Sequence, residues 1–225
     1  MKIISMSSIC KRKENQDNYW SAILNVNGEE VGVLCVCDGM GGLDSGEKAS
    51  RMLVSQIRDH FLETGTIEGI EDVVSKVNQE IKHISVKKSG TTCTVLMCTG
   101  GNYYIYNVGD SRCYKWSESG VLQITEDHTV IQKYIKEGKP ITPEVEMKYK
   151  NILTRCVGVM PKVKYDIFTG SYSEGDSFLV CSDGFWHTIS EEDFMTGKIN
   201  VISEMITQCM DKGEVDNITA CILKI

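Results

Sequence analysis

The chain has 225 residues, with 24 Lys and Arg against 31 Asp and Glu and a formal net charge of −7. That length suits one domain whose core needs neither disulfides nor a structural metal, and a 41% hydrophobic share with 24% charged residues excludes wholesale disorder. The acidic balance argues against non-specific nucleic-acid binding, and the longest apolar run, residues 31–37, falls far short of the ~20 residues that cross a bilayer.

Apolar runs and alternation predict strands over residues 2–10, 19–26 and 30–37. A glycine-rich turn, Gly39-Met40-Gly41-Gly42, then leads into a helix with Ala49, Met52, Leu53, Ile57, His60 and Phe61 on one face. A second helix is marked by Ile70, Val73, Val74, Val77, Ile81 and Ile84, and strands follow over 91–99, 102–108, 112–116 and 121–124. From about 126 to 163 the pattern breaks. This stretch holds all three prolines (Pro140, Pro143, Pro161) and five lysines between Lys133 and Lys150, and it reads as a mostly surface insertion with a short helix near 129–137. Strands resume at 164–169 and 177–181. A last helix with Ile199, Ile202, Met205, Ile206 and Cys209 on one face leads into a strand at 218–225. Hairpin spacing with two helices arriving together, rather than steady βαβ alternation, predicts an α+β sandwich of largely antiparallel sheets covered by helices.

Ten cysteines could signal a disulfide framework, but Cys35, Cys37, Cys93, Cys98, Cys181 and Cys221 lie in strand-like runs, where Cys behaves as a small hydrophobe. No CxxC pair occurs, and His60, His83, His128 and His187 are scattered, so a zinc knuckle is not expected. Reduced thiols and an N-terminus without a charged stretch before an apolar region predict a cytoplasmic protein with no signal peptide.

The chemistry sits where strands stop at an aspartate: at Cys37-Asp38-Gly39, Gly109-Asp110-Ser111 and Ser182-Asp183-Gly184. Asn15-Gln16-Asp17 and Val215-Asp216-Asn217 stand near the two ends of the chain. Read singly, each is an ordinary Asp turn. Read together, five carboxylates at strand ends can converge on one sheet edge, where they repel one another unless a cation neutralises them. All-oxygen ligation selects a hard ion, Mg²⁺ or Mn²⁺. Glycines after Asp38 and Asp183 permit close backbone approach and unusual φ values.

These motifs together resemble the metal-dependent Ser/Thr protein phosphatase family (PPM, type 2C) in its compact bacterial form. The blocks are Arg12-Lys13-Glu14-Asn15-Gln16-Asp17, Asp38-Gly39-Met40-Gly41-Gly42 with Gly46-Glu47, Gly90-Thr91-Thr92, and Asn107-Val108-Gly109-Asp110-Ser111-Arg112. They continue as Asp127-His128-Thr129, Leu153-Thr154-Arg155 with Gly158, Ser182-Asp183-Gly184, and Asp216-Asn217-Ile218-Thr219. One Asp-Gly carries no signal, whereas eight blocks in family order across residues 12–219 are specific.

The resemblance implies one catalytic domain over residues 1–225, a four-layer αββα sandwich with a flap at about 126–163. It implies two Mn²⁺ or Mg²⁺ ions and a third, weaker ion. Asp38 would bridge the two, with the Gly39 carbonyl on one of them; Asp183 and Asp216 would hold the first, Asp17 would act directly or through water, and Asp110 would serve the third. Arg12 would grip the substrate phosphate, its planar fork suiting two oxygens. A water bridging the ions becomes the nucleophile near neutral pH and attacks phosphorus in line, with no phosphoenzyme. The implied substrates are phosphoserine and phosphothreonine proteins and the implied pathway partner is a cognate Ser/Thr kinase, with the protein a monomer that binds neither nucleic acid nor membrane.

Two positions depart from the wider family. Met40 stands where many eukaryotic relatives carry His, so leaving-group protonation would fall to water, and Gln16 replaces Glu. His128 is expected to be structural, Trp20, Trp116 and Trp186 to pack in the core or at its rim, and Ser111 and Arg112 to stabilise turns, while the flap lysines could steer acidic phosphoproteins. Two alternatives stay open: a catalytically weak phosphoprotein-binding module of the same fold, or a hydrolase of small phosphate esters. No Cys-x5-Arg loop or Gly-x-Ser-x-Gly supports a cysteine phosphatase or serine hydrolase.

Overall fold

A computed structural model describes residues 1–41, 45–84, 89–189 and 202–225. Gly42 and Ile199 lie outside the described residues.

Two antiparallel sheets form the centre. The first has strand order β1 (Lys2–Ser8), β11 (Ile218–Lys224), β10 (Ser177–Cys181), β7 (Arg112–Ser117) and β8 (Gly120–Gln123). The second runs β2 (Asp17–Val26), β3 (Glu29–Met40), β5 (Cys93–Thr99), β6 (Asn102–Val108) and β9 (Asp166–Ser171), with the short β4 (Gly90–Thr91) also paired to β3.

The period of two along β3 explains the layering. Val33, Cys35 and Cys37 pack with Leu53, Ile57, Phe61, Val74 and Val77 of α1 (Ser45–Thr64) and α2 (Ile70–Ile84). Leu34 and Val36, on the opposite face, pack between the sheets with Phe178, Val180, Cys221 and Leu223. The outer face of the first sheet, with Leu179, Cys181, Ala220 and Ile222, is covered by Phe185 of α5 (Asp183–Trp186) and by Ile206 and Cys209 of α6 (Ile202–Asp211). Helix, sheet, sheet, helix is the expected four-layer sandwich. Both faces of the central strands are buried, which is why they read as continuous apolar runs rather than alternating ones.

Several boundaries differ from expectation. Strand β3 does not stop at Cys37 but continues through Asp38 to Met40, because Gly39 and Met40 pair with Thr91 and Gly90. Strand β1 ends at Ser8, and Cys10 beyond it takes a left-handed φ of 50°. The insertion carries the expected short helix, α3 (Val130–Lys136), with Thr129 Oγ1 accepting from the Gln132 N–H. It also carries a helix that the prolines concealed, α4 (Pro143–Tyr149), capped by Thr142 with Pro143 in its first turn. Thr-Pro-Glu at a helix start was a readable signal. The middle of the insertion is exposed, while His128, Thr129, Cys156, Val157 and Val163 anchor its ends as buried residues. All ten cysteines are free thiols. Among the described residues no helix is long and apolar enough to cross a membrane.

A candidate metal centre at the strand ends

Register sets the first pair of the site: Asp17, at the start of β2, is the antiparallel partner of Asp38 near the end of β3. Asp38 continues the row of Leu34 and Val36, so by strand alternation it belongs to the face between the sheets. Thr92 clamps its backbone from both sides, donating its N–H to the Asp38 carbonyl at 2.8 Å and accepting the Asp38 N–H on Oγ1 at 2.8 Å. Asp17 is only 5% exposed. Its Oδ2 accepts from Ser182 Oγ at 2.7 Å, and its Oδ1 is buried without a hydrogen-bond partner.

The other aspartates arrive from chain crossings between elements. Asp183 opens α5 directly after β10, and its Oδ1 is likewise buried and unpartnered. Asp216 precedes β11, with Oδ1 accepting the Asn217 N–H at 2.8 Å and Oδ2 accepting from Arg12 Nη2 at 2.5 Å. Asp110 sits in the turn between β6 and β7. Gly109, at φ 106°, donates its N–H to His128 Nδ1 at 3.0 Å, and Trp186 Nε1 donates to the Asp110 carbonyl at 2.9 Å.

The glycines beside Asp38 and Asp183 serve close approach alone. Neither takes a positive φ, contrary to the expectation of unusual backbone angles. A Cβ on Gly39 would lie 2.3 Å from the Gly46 carbonyl oxygen, and one on Gly184 would lie 2.2 Å from the Asn217 carbonyl oxygen. Asn217 also secures the Arg12 loop: its Nδ2 donates to the carbonyls of Ile9 and Glu14 at 3.1 and 3.0 Å, and its Oδ1 accepts the Gln16 N–H at 2.9 Å.

A cleft of about 820 Å³ opens over this arrangement, lined by Arg12, Asp38, Gly39, Asp110, Asp183 and Asp216, with Met40 and Gly41 beside them. Asp17 lies behind it, opposite Asp38. Burial pushes the Asp17 carboxyl up to about 7 against the lowering by bonds from Thr219 and Ser182, with Asp183 and Asp216 adding repulsion. Burial, then Asp183, pushes Asp110 up to about 8. Asp38 is raised well above the carboxylate range by burial and then by Asp17, Asp183, Asp110 and Asp216, and burial also raises Asp183.

Among the described residues no three His, Cys, Asp or Glu side chains stand in a finished ligand set. What they present is a group of buried and half-buried, mutually repelling carboxylates, two of whose oxygens are without a partner. Such oxygens fit hard divalent cations, which remove the repulsion that burial intensifies.

Residues outside this group do structural work. His128 is buried, with Nε2 3.0 Å from Asp166 Oδ2, and burial lowers its pKa. Arg112 binds both carboxylate oxygens of Asp127, at 2.9 and 2.7 Å, and its guanidinium lies 3.4 Å from the Trp186 ring centroid. Trp20 packs on Phe61 at 6.0 Å. Ser111 Oγ bonds Thr92 Oγ1 at 2.7 Å. Thr92, Ser182 and Asn217 stand inside the quoted motifs without a role legible in them, because their bonds join residues far apart in sequence.

The model of the family described as protein phosphatase 2C matches residues 7–220. The chain is 31% identical over 234 residues to the serine/threonine phosphatase stp of Listeria innocua, covering 95% of this chain and 91% of that protein. It superposes on the S. agalactiae serine/threonine phosphatase with a TM-score of 0.89 at 27% identity, covering 100% of this chain and 99% of that one. The fold also matches the catalytic domain of the phosphatase PstP, solved in complex with 2 manganese ions, at a TM-score of 0.80, 23% identity and coverage of 98% and 96%.

Proposed function

This chain belongs to the protein phosphatase 2C family, and from that membership we propose how its own residues hydrolyse phosphoserine and phosphothreonine. It is a protein serine/threonine phosphatase, a phosphoric monoester hydrolase of a metal-dependent family. We read residues 1–225 as one catalytic domain with 126–163 as its flap.

Asp17, Asp38, Asp183 and Asp216, with the Gly39 carbonyl, are the groups that would hold two Mn²⁺ or Mg²⁺ ions, and Asp110 a third, weaker one. Bound there, such ions offset substrate charge and bring the pKa of water toward neutrality. Arg12 offers its planar fork to phosphate oxygens at the cleft rim, positioned by the Asn217-anchored loop and by its bond to Asp216. Met40 carries no proton, so the departing serine or threonine oxygen draws its proton from solvent in the open cleft. Asn217 and Ser182 keep the carboxylates and Arg12 at fixed separations, so little reorganisation accompanies reaction.

The observation that carries this reading is the pair of buried Asp17 and half-buried Asp38, opposite each other in register and backed by carboxylates from the first sheet. The all-oxygen donor set supports Mn²⁺ or Mg²⁺ as the cofactor. Ten unbridged thiols support a cytoplasmic location as part of this proposal. A monomer working against a cognate Ser/Thr kinase completes the proposal. The test is hydrolysis of a phosphothreonine peptide that requires Mn²⁺ and stops with EDTA. Asp38→Asn should abolish it while the circular dichroism spectrum is retained; retained turnover refutes the central role of Asp38, and preference for nucleotides over phosphopeptides refutes the protein-substrate assignment.

A further inference from the structure

Two lysines flank Arg12, and the phosphate-gripping role of Arg12 leaves them unexplained. Lys11 and Lys13 are exposed, line the cleft, and have no salt-bridge partner among the described residues. Lys115, Lys136 and Lys139 are by contrast paired with Asp176, Glu126 and Glu137. Their loop is not free to wander. Asn217 holds it at Ile9, Glu14 and Gln16, and the Arg12 N–H donates to the Ile9 carbonyl at 3.2 Å. The acidic residue of this stretch that also lines the cleft, Glu14, accepts from Gln16 Nε2 at 3.1 Å.

A second chain segment lines the same cleft. Ile152 and Met160 line it while 45% and 37% exposed. This segment is fixed as well: Val157 exchanges backbone hydrogen bonds with Thr91 at 2.9 Å, and Asn78 Nδ2 donates to the Met160 carbonyl at 3.1 Å. The basic loop is therefore tied to the start of β11 and the apolar segment to β4 beside Gly39 and Met40, and both line the cleft that the aspartates line.

We propose that Lys11 and Lys13 on one side, and Ile152 and Met160 on the other, select phosphorylated segments with an acidic residue on one flank of the phosphoresidue and an apolar residue on the other. The occupant is the substrate polypeptide, by charge complementarity with the lysines. The inference rests on the phosphatase reading and specifies its substrate class. Exposed charges add modestly, so two of them change kcat/KM by about 2- to 30-fold, and screening at a Debye length of ~10 Å in 0.1 M salt weakens the effect as salt rises.

The test uses the Mn²⁺-loaded protein and phosphothreonine peptides that share an apolar residue on one flank and carry Glu, Ala or Lys on the other. The expected order of kcat/KM is Glu, then Ala, then Lys, with a spread of about tenfold at low salt that shrinks at high salt. Lys11→Glu with Lys13→Glu should invert that order, and Lys11→Met with Lys13→Met should flatten it. Met160→Ser should lower kcat/KM for peptides with an apolar flank more than for the same peptides with a serine flank. An unchanged flank preference in the charge-reversed protein overturns the role of the lysines, and equal losses on both flank types overturn that of the apolar segment. Wild-type protein that cleaves all three peptides equally also overturns the inference and leaves the phosphatase reading standing. Wild-type protein that cleaves none overturns both.

Discussion

Replacing Gly184 by alanine tests whether the two arms of the site are held together by backbone contact. Gly184 lies in α5, one residue after Asp183, and an added Cβ would meet the Asn217 carbonyl oxygen at 2.2 Å, the Asn217 carbonyl carbon at 3.1 Å and Asp216 Cβ at 3.4 Å. A relaxed C···O contact needs ~3.3 Å, so α5 and the start of β11 must separate by ~1 Å. No side-chain rotation relieves the clash, because the obstructing atom is backbone. Overpacking of this kind costs ~3 kcal/mol, and the higher helix propensity of alanine returns ~1 kcal/mol. The net loss is ~2 kcal/mol. For a chain of this length that lowers Tm by roughly 4–8 °C. Asp183 and Asp216 separate by the same distance, and a misplacement of ~1 Å near a reacting centre costs ~10²-fold in rate. Urea denaturation with and without Mn²⁺, alongside phosphopeptide turnover, measures both effects. A variant with unchanged or higher midpoint and activity within twofold of the parent would refute the reasoning, since the propensity gain would then outweigh a clash that the packing could absorb.

Asn217→Ala removes three hydrogen bonds that fix the Arg12 loop; KM for a phosphopeptide should rise several-fold, with ~1–3 kcal/mol lost in stability, and an unchanged KM would sever the link between Asn217 and Arg12. Chelated protein should lose stability as pH rises from about 5 to 8. The folded state holds protons on Asp17 and Asp110, at about 7 and about 8, that the unfolded chain releases near 3.8, so the folded state binds more protons across that window. His128, lowered by burial, acts in the opposite sense but is one group against four raised carboxylates. A chemical-denaturation series that is flat or rising in that window would count against the cluster, and adding Mn²⁺ at pH 8 should restore stability. Arg112→Ala breaks a two-bond ion pair and its contact with Trp186, whose indole holds the Asp110 carbonyl. The expected loss is ~2–4 kcal/mol, read by thermal unfolding, and a change under ~0.5 kcal/mol would show that the pair is dispensable.

Much of this site was readable because its residues are short, polar and placed where apolar runs stop. Asp38, Asp110 and Asp183 each interrupt a buried strand or its exit, and that local contradiction marks them. The partners that position them were harder to read. Ser182 bonds Asp17 across 165 residues, and Asn217 reaches Glu14 across 203. The helix α4 is masked in the sequence because Pro143, a breaker inside a helix, here occupies the first turn.

Apolar runs and hairpin spacing in the chain point to antiparallel sheets covered by helices, and the resemblance carried by the motifs supplies the four layers and marks the five aspartates as candidates, because strand runs and strand-ending carboxylates are local properties of the chain. Register was not local. Only tertiary pairing placed Asp17 opposite Asp38, closed the Gly184–Asn217 contact, and brought the basic loop and the apolar segment to one cleft. Those outcomes depend on which strand meets which. That choice is made by packing and hydrogen bonds between residues far apart in sequence, whose energies no short window of the chain contains.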